Sequence, residues 1–288
     1  MKITTWNVNS LKARMPYVTA WIEIAKPDVL CLQETKLKTE AFPFGEFANL
    51  GYESVHCGQG QWNGVAILSR VGLENDFHNF DEQAGIPMME VPEDSVGSAD
   101  SVATSNSTSQ NTAEPEARLI WATCGGVRVA SAYVPNGREL NHPHYHYKLH
   151  WLSCLRAHLD LRESPEAPVV VTGDFNIAPA DNDVWDIEAF ADNTHVSVPE
   201  REKLREVCEW GLNDVFRDRY GNTDGLYTYW DYRAGRFNRR EGMRIDYILA
   251  SAPLSENLNW IVLDRNARKT WGEDKPSDHA PLTASFEI

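Results

Sequence analysis

PVVVTGDFN, residues 168–176, joins two kinds of residue that the rest of the chain repeats in the same order. Val169 to Val171 are three β-branched apolar residues in succession, the composition of a strand covered on both faces. Pro168 opens the run and Gly173 closes it, so it is short enough to be a strand and too short to be a buried helix. The chain then leaves the apolar interior through Asp174 and Asn176. A strand that ends on an acid and an amide delivers both to the rim of a core, where sites are usually built.

The same pattern recurs on either side. Upstream strand candidates are KITTWNV, DVLCLQE, GVAILSR, RLIWATC and VRVASAYV; downstream ones are LYTYW, RIDYILAS and APLTASFEI. Apolar spacings of three and four mark helices only in MPYVTAWIEIA, HYHYKLHWLSCLRAHLDL and PEREKLREVCEWG. Nine strands with three good helices predict sheet packed on sheet with helices outside.

Polar residues gather where the apolar runs stop. Asn7 follows KITTW, Glu34 follows VLCLQ, Tyr133 and Asn136 follow VRVASA, Asp246 lies within MRIDYIL, and Asp278-His279 precede APLTASF. Glu34, Asp174, Asp246 and Asp278 with Asn7 and Asn176 form an all-oxygen donor set with one imidazole and no thiol. Hard oxygen donors select Mg²⁺ or Mn²⁺, and crowded carboxylates need such a cation or a protonated histidine to coexist. That combination points to metal-assisted phosphoryl chemistry. Each motif alone has a plainer reading: GDFN as a strand-to-turn connection, Glu34 as a surface acid, SDH as an N-cap beside a satisfied histidine, RID as a cross-strand ion pair. Their joint occurrence in one order, each at the end of an apolar run, sets those readings aside.

The formal net charge of −15 argues against a protein that coats nucleic acid in bulk. Ten of the acids lie between residues 71 and 117, a stretch with no Lys or Arg. Within it, residues 92–115 are rich in Ser, Thr, Asn, Ala and acids, and the composition predicts a mobile surface insertion in a single domain spanning 1–288. Five scattered cysteines without a C-x-x-C pair read as reduced structural thiols. No apolar run reaches the ~18 residues of a membrane span, and the N-terminus has no signal-peptide pattern, so a cytoplasmic protein is expected. The one concentrated cationic stretch, Tyr227 to Arg244, interleaves Tyr227, Tyr229, Trp230, Tyr232 and Phe237 with five arginines, including Arg233, Arg236 and Arg244. Cations for phosphates beside aromatics for an opened base stack suit a protein that distorts duplex DNA.

In order, WNVN, LQETK, YVPNG, GDFN, RIDYIL and SDH resemble the motifs of the exonuclease III-type apurinic/apyrimidinic endonucleases, within the endonuclease/exonuclease/phosphatase superfamily. The resemblance runs from Met1 to Ile288 outside the acidic segment; YVPNG, WDYR and RIDYILAS narrow it to the DNA-repair branch. It implies an α/β fold, a four-layer sandwich of two mixed β-sheets face to face with helices outside. It implies Mg²⁺, for which Mn²⁺ can substitute, held by Glu34 with Asn7, Asp174, Asn176 and Asp278. Catalytic roles fall to Asp174 and Asn176 at the attacking water, His279 with Asp246 at the phosphate, and Tyr133. DNA contacts fall to Asn136, Arg244 and one of Tyr229 or Trp230 against the abasic sugar; either Asp174 or His279 is the base. The implied substrate is double-stranded DNA with abasic sites or blocked 3′ ends, cut by a monomer. Two rival readings are a phosphatase acting on inositol or small phosphoesters, and a non-catalytic DNA-binding module.

Overall fold

The computed structural model describes residues 1–85, 115–270 and 275–288, so the expected insertion lies outside the described residues apart from Pro115. In chain order the elements are β1 (Lys2–Asn7), α1 (Leu11–Ala25), β2 (Val29–Gln33), α2 (Phe44–Asn49), β3 (Glu53–Cys57), β4 (Val65–Ser69), β5 (Glu74–His78), β6 (Leu119–Cys124) and β7 (Val127–Tyr133). There follow α3 (Pro143–Arg162), β8 (Val169–Asp174), α4 (Val198–Cys208), β9 (Leu212–Asp214), α5 (Val215–Tyr220), α6 (Arg236–Arg239), β10 (Asp246–Ser251), α7 (Ala252–Ser255), β11 (Leu258–Leu263) and β12 (Leu282–Phe286).

Two six-stranded sheets result, ordered β11-β12-β1-β2-β4-β3 and β5-β6-β7-β8-β10-β9. Each contains one parallel pair, β1–β2 and β7–β8, joined through the helices α1 and α3. All other pairs are antiparallel, so both sheets are mixed.

Side-chain alternation along the strands builds the layers. Ile3, Val29, Cys31, Val65 and Ile67 of the first sheet meet Ile120, Val129, Val170 and Ile248 of the second in a buried inter-sheet core. On the outer face of the first sheet Trp6, Leu30, Leu32 and Leu68 pack under Tyr17, Val18, Trp21 and Ile22, which α1 presents at spacings of one, three and one. On the outer face of the second, Trp121, Val169, Val171 and Leu249 pack under Trp151, Leu155 and Leu159 of α3 and Leu204 and Val207 of α4. Burying each such leucine contributes about 1.5–3 kcal/mol before chain entropy is set against it. The order helices, sheet, sheet, helices is the four-layer sandwich expected from the strand count.

The inner rows also explain where the polar residues go. Val170, Thr172 and Asp174 share one face of β8, as Ile248 and Asp246 do on β10 and Val129, Ser131 and Tyr133 on β7. Asp174 is paired in register with both Tyr133 and Asp246. On β1 the inner row ends at Asn7, so acids and amides leave both sheets at the same end of the sandwich. Buried polar links cross the interface just beneath: Gln33 Nε2 donates to Ser131 Oγ at 2.9 Å, and Ser131 Oγ to the Leu32 carbonyl at 3.0 Å.

LYTYW is not a strand. Thr228 and Tyr229 both donate their backbone N–H to the Met243 carbonyl, and Thr228 Oγ1 accepts from the N–H groups of Ile245 and Asp246. A side chain thus takes bonds a ladder would use, leaving isolated bridges from Tyr229 to Met243 and His279. All five cysteines are free. Among the described residues no helix is long and apolar enough to cross a membrane.

Candidate active site

Asp174, Asp246 and His279 meet at the rim with donor atoms within 4.8 Å of one another, all buried. His279 Nδ1 donates to Asp246 Oδ2 at 2.8 Å, which turns Nε2 toward Asp174 Oδ2 at 3.7 Å. Ser277 fixes the approach: its hydroxyl donates to the Asn7 carbonyl at 2.6 Å and accepts from the His279 N–H at 3.2 Å. Asp174 Oδ1 accepts from the Asn176 N–H at 2.9 Å. Asn7 Nδ2 lies 2.9 Å from Asp174 Oδ2 and 2.8 Å from Glu34 Oε1, bridging the two carboxylates. Lys36 Nζ pairs with Glu34 Oε2 at 2.8 Å and donates to Asn9 Oδ1 at 2.6 Å; Asn9 Nδ2 reaches Asp278 Oδ1 at 3.1 Å.

The backbone here is strained. Glu34 at φ 52°, Lys36 at 52°, Asn9 at 43° and Asn176 at 53° are all non-glycine residues in left-handed conformations. Such residues persist only where their surroundings over-determine them, and they concentrate at functional sites. Gly173 is required for another reason: at φ +142° a Cβ would lie 1.8 Å from the Ala132 carbonyl oxygen.

Electrostatics separates the members. Burial pushes the Asp174 carboxyl up, the Asp246 and Glu34 charges add to it, and the pull of His279 leaves it at about 7. Burial opposes charge on His279, but Asp246 and Asp174 outweigh it and raise the imidazole to about 10, so the ring is cationic at neutral pH. Burial would raise Glu34, yet Lys36 and the Asn7 amide hold it below its ordinary range. Burial beside Glu34 keeps the Tyr133 phenol protonated, with the Arg118 guanidinium 4.8 Å from its ring.

The donor chemistry fits a hard divalent cation. Four carboxylates gather around two amides with no thiol, and Asp246 Oδ1 is buried without a hydrogen-bond partner. A protonated His279 does not ligate, which leaves the carboxylate oxygens of Asp174 and Asp246, the latter with its unpartnered Oδ1, as the donors of this cluster that could face a cation. The Asn7 Oδ1 accepts from the Asn9 N–H, and its NH₂ faces the acids. Asn176 is likewise engaged at both ends, Oδ1 by Asn136 Nδ2 at 3.1 Å and Nδ2 by the Val134 carbonyl at 3.0 Å.

A cleft of about 340 Å³ adjoins the cluster, lined by Asn136, Trp185, His195, Tyr229, Arg236 and Met243 among others. The Tyr229 ring lies 4.9 Å from that of His279. Two residues expected to face DNA do not. Trp230 is 1% exposed, its ring between Phe237 and the Arg265 guanidinium and its carbonyl held by Arg268. Arg244 is 0% exposed, bonded to Asp183 and Asp214, and braces the strand that carries Asp246. Sequence reasoning passed over Thr228, Ser277, Lys36 and Asn9, which position the named residues. It also passed over Trp62, 70% exposed on a loop whose Asn63 carbonyl accepts from the Lys36 N–H.

Residues 4–279 match the model of the endonuclease/exonuclease/phosphatase family. The chain belongs to that family. Exodeoxyribonuclease III of Haemophilus influenzae is 30% identical over the whole of both chains. Among solved structures, an AP endonuclease from Archaeoglobus fulgidus is 33% identical with a TM-score of 0.85, again over the whole of both chains. A 3′ phosphatase from Neisseria, solved with a product DNA hairpin, is 34% identical with a TM-score of 0.84 and the same coverage. The chain is therefore a phosphodiester hydrolase of the exonuclease III type, a DNA repair nuclease.

Proposed function

We propose that the chain is a Mg²⁺-dependent nuclease that hydrolyses the phosphodiester 5′ to an abasic site in duplex DNA and trims blocked 3′ ends. One observation carries the reading: a buried imidazolium oriented by Asp246 stands over Asp174, beside a cleft floored by an exposed-edge tyrosine. Asp174, with the His279 imidazolium 3.7 Å away, orients and deprotonates the attacking water. The water oxygen bonds to phosphorus as the P–O3′ bond breaks; the departing O3′ takes a proton from solvent water, leaving a 3′-hydroxyl and a 5′-deoxyribose phosphate. His279, with Asn176 and Asn136 alongside, donates hydrogen bonds to the charge developing on the phosphate oxygens. When bound near Glu34, Asp174 and Asp278, Mg²⁺ supplies further charge neutralisation. Tyr229 replaces Trp230 as the aromatic for the sugar that lacks its base, and Trp62 with Lys36 and Arg236 offers a local DNA face on an acidic protein. An abasic nucleotide costs least to unstack, which gives lesion preference without base readout. The protein would act as a cytoplasmic monomer, one domain throughout.

The similarity to the Neisseria 3′ phosphatase favours a second reading in which 3′-end processing dominates. Labelled duplexes bearing an internal abasic site or a 3′-phosphate, with inositol phosphates as a third substrate, separate the readings. Incision at the abasic site is expected; 3′-phosphate release with the abasic strand intact supports the second reading, and turnover of inositol phosphates alone overturns both.

A further inference from the structure

The hydrolytic scheme leaves unused an ion pair with no exposed area at either side chain. Lys148 on α3 and Glu200 on the first turn of α4 meet at 2.5 Å. A buried pair is often no more stabilising than apolar side chains of the same volume, so helix packing alone does not account for it. Its other bonds do. Lys148 Nζ donates to the carbonyls of Asn176 at 2.6 Å and Asn136 at 3.2 Å. Glu200 Oε1 accepts from the His195 N–H at 3.0 Å and lies 2.6 Å from Thr194 Oγ1, and Oε2 accepts from the Ser197 hydroxyl at 2.7 Å.

Three segments remote in sequence therefore converge on one pair: the end of the β7 exit at Asn136, the β8 exit at Asn176, and the cleft wall from Thr194 to Ser197. That wall also reaches the Asn136 carbonyl through Thr194 Oγ1 at 3.1 Å and the Asn176 carbonyl through His195 Nδ1 at 2.5 Å. Two of their residues need holding, since Asn176 at φ 53° and His195 at φ 82° are left-handed without being glycine. Asn176 also has its N–H on Asp174 and its side chain on Asn136. A shift of its carbonyl thus moves the group that orients Asp174 and a donor facing the phosphate.

We infer that Lys148 and Glu200 are positioning residues for the hydrolysis, fixing Asn136, Asn176 and the cleft wall as a single unit. The inference rests on the proposed nuclease reading for its kinetic consequence only. Neither residue touches substrate, and both act through Asn176. The double variant Lys148→Met/Glu200→Gln removes both buried charges at similar volume. Glu200→Gln alone, which keeps the acceptors for Thr194 and His195, is the second variant if the double one does not fold.

The readouts are kcat and KM on abasic duplex well below Tm, and amide hydrogen exchange of residues 134–137, 175–178 and 194–197 against β10. A misplaced catalytic group costs up to about 100-fold for a displacement near 1 Å. We expect kcat to fall at least about 10-fold with KM within about 3-fold, and exchange to quicken in those three segments but not in β10. Unchanged exchange there overturns the inference whatever the activity. Quickened exchange with kcat within about 2-fold overturns it as well. If the wild type cleaves no duplex, the nuclease reading has failed, and exchange alone then decides the positioning claim.

Discussion

Removing the charge of Asp246 with Asp246→Asn should move the alkaline limb of the pH–rate profile, because that charge is the main support of the imidazolium. His279 Nδ1 and Asp246 Oδ2 are 2.8 Å apart in a buried setting, and burial by itself would depress the ring. The ring is nevertheless held up to about 10, with Asp246 as the largest raising influence and Asp174 next. Loss of one adjacent charge typically moves a titration by roughly 1–3 pH units. In the wild type kcat/KM should thus fall near pH 10; in Asp246→Asn the fall should come roughly 1–3 units lower, between about 7 and 9. Removing a donor to a developing oxyanion costs about 2.7–4 kcal/mol, so His279→Ala should lose roughly 10²–10³-fold in kcat at pH 7.5. Since the two residues act as a unit, Asp246→Asn should add little once His279 is gone. The assay is incision of abasic duplex from pH 6 to 10.5 for wild type, both single variants and the double. An unmoved limb in Asp246→Asn, or fully additive losses, would refute the reasoning.

Tyr229→Ala should lose about 10-fold more on abasic duplex than on frayed 3′-phosphate ends, since only the former needs an aromatic against an empty sugar; equal losses would remove the ring from lesion recognition. Gly173→Ala should cost about 2–4 kcal/mol in denaturant unfolding, because the new Cβ meets the Ala132 carbonyl at 1.8 Å in a backbone at φ +142°; a loss under 1 kcal/mol would mean that β7 and β8 separate freely. In chelator, Asp174 and His279 should make a contribution to stability that falls as pH rises from about 4 to 10, against the opposite contribution of the buried His56, His158 and His195, each lowered to about 4. Asp174 at about 7 binds its proton more tightly folded than unfolded, and so does His279 at about 10, so their stabilising contributions are fully present below the unfolded pKa and vanish as pH passes the folded one. Relative to wild type, Asp174→Asn should gain stability as pH rises from about 4 to 7 and His279→Gln as it rises from about 6.5 to 10; slopes identical to wild type would contradict the cluster's electrostatics.

Most of the strands that carry the site could be read in the sequence, because β1, β2, β7, β8 and β10 are covered on both faces and so form unbroken apolar runs. The strands that could not be read lie at or near sheet edges. ENDFH of β5 is largely exposed, β9 has three residues, and β11 leaves Trp260 and Val262 in solvent. No apolar run marks β5 or β9, and partner strands define them instead, whereas β11 does carry the run Trp260 to Leu263. At the site, alternation along strands brought Tyr133, Asp174 and Asp246 together. The turn residues that restrain them, Ser277 and Thr228, act through hydroxyl-to-backbone bonds that no spacing announces. Arg244 was misread as a DNA contact because its partners, Asp183 and Asp214, are 61 and 30 residues away. Trp230 was misread because neighbouring aromatics in extended chain point to opposite sides. Sequence names the pair, and packing between Phe237 and Arg265 selects which one is hidden.

The central claim, metal-dependent incision built around Glu34 and the Asp174–His279 cluster, is tested by one duplex carrying a single abasic site and a 5′ label. The duplex is incubated with the wild type in Mg²⁺, with the wild type in chelator, and with Glu34→Gln across a Mg²⁺ and Mn²⁺ titration. The expected result is a single cut at the phosphodiester 5′ to the lesion with a 3′-hydroxyl product, abolished by chelator. In Glu34→Gln the cut should be slowed by several orders of magnitude and partly restored at high metal. Wild-type rates in chelator, or from Glu34→Gln at low metal, would contradict it.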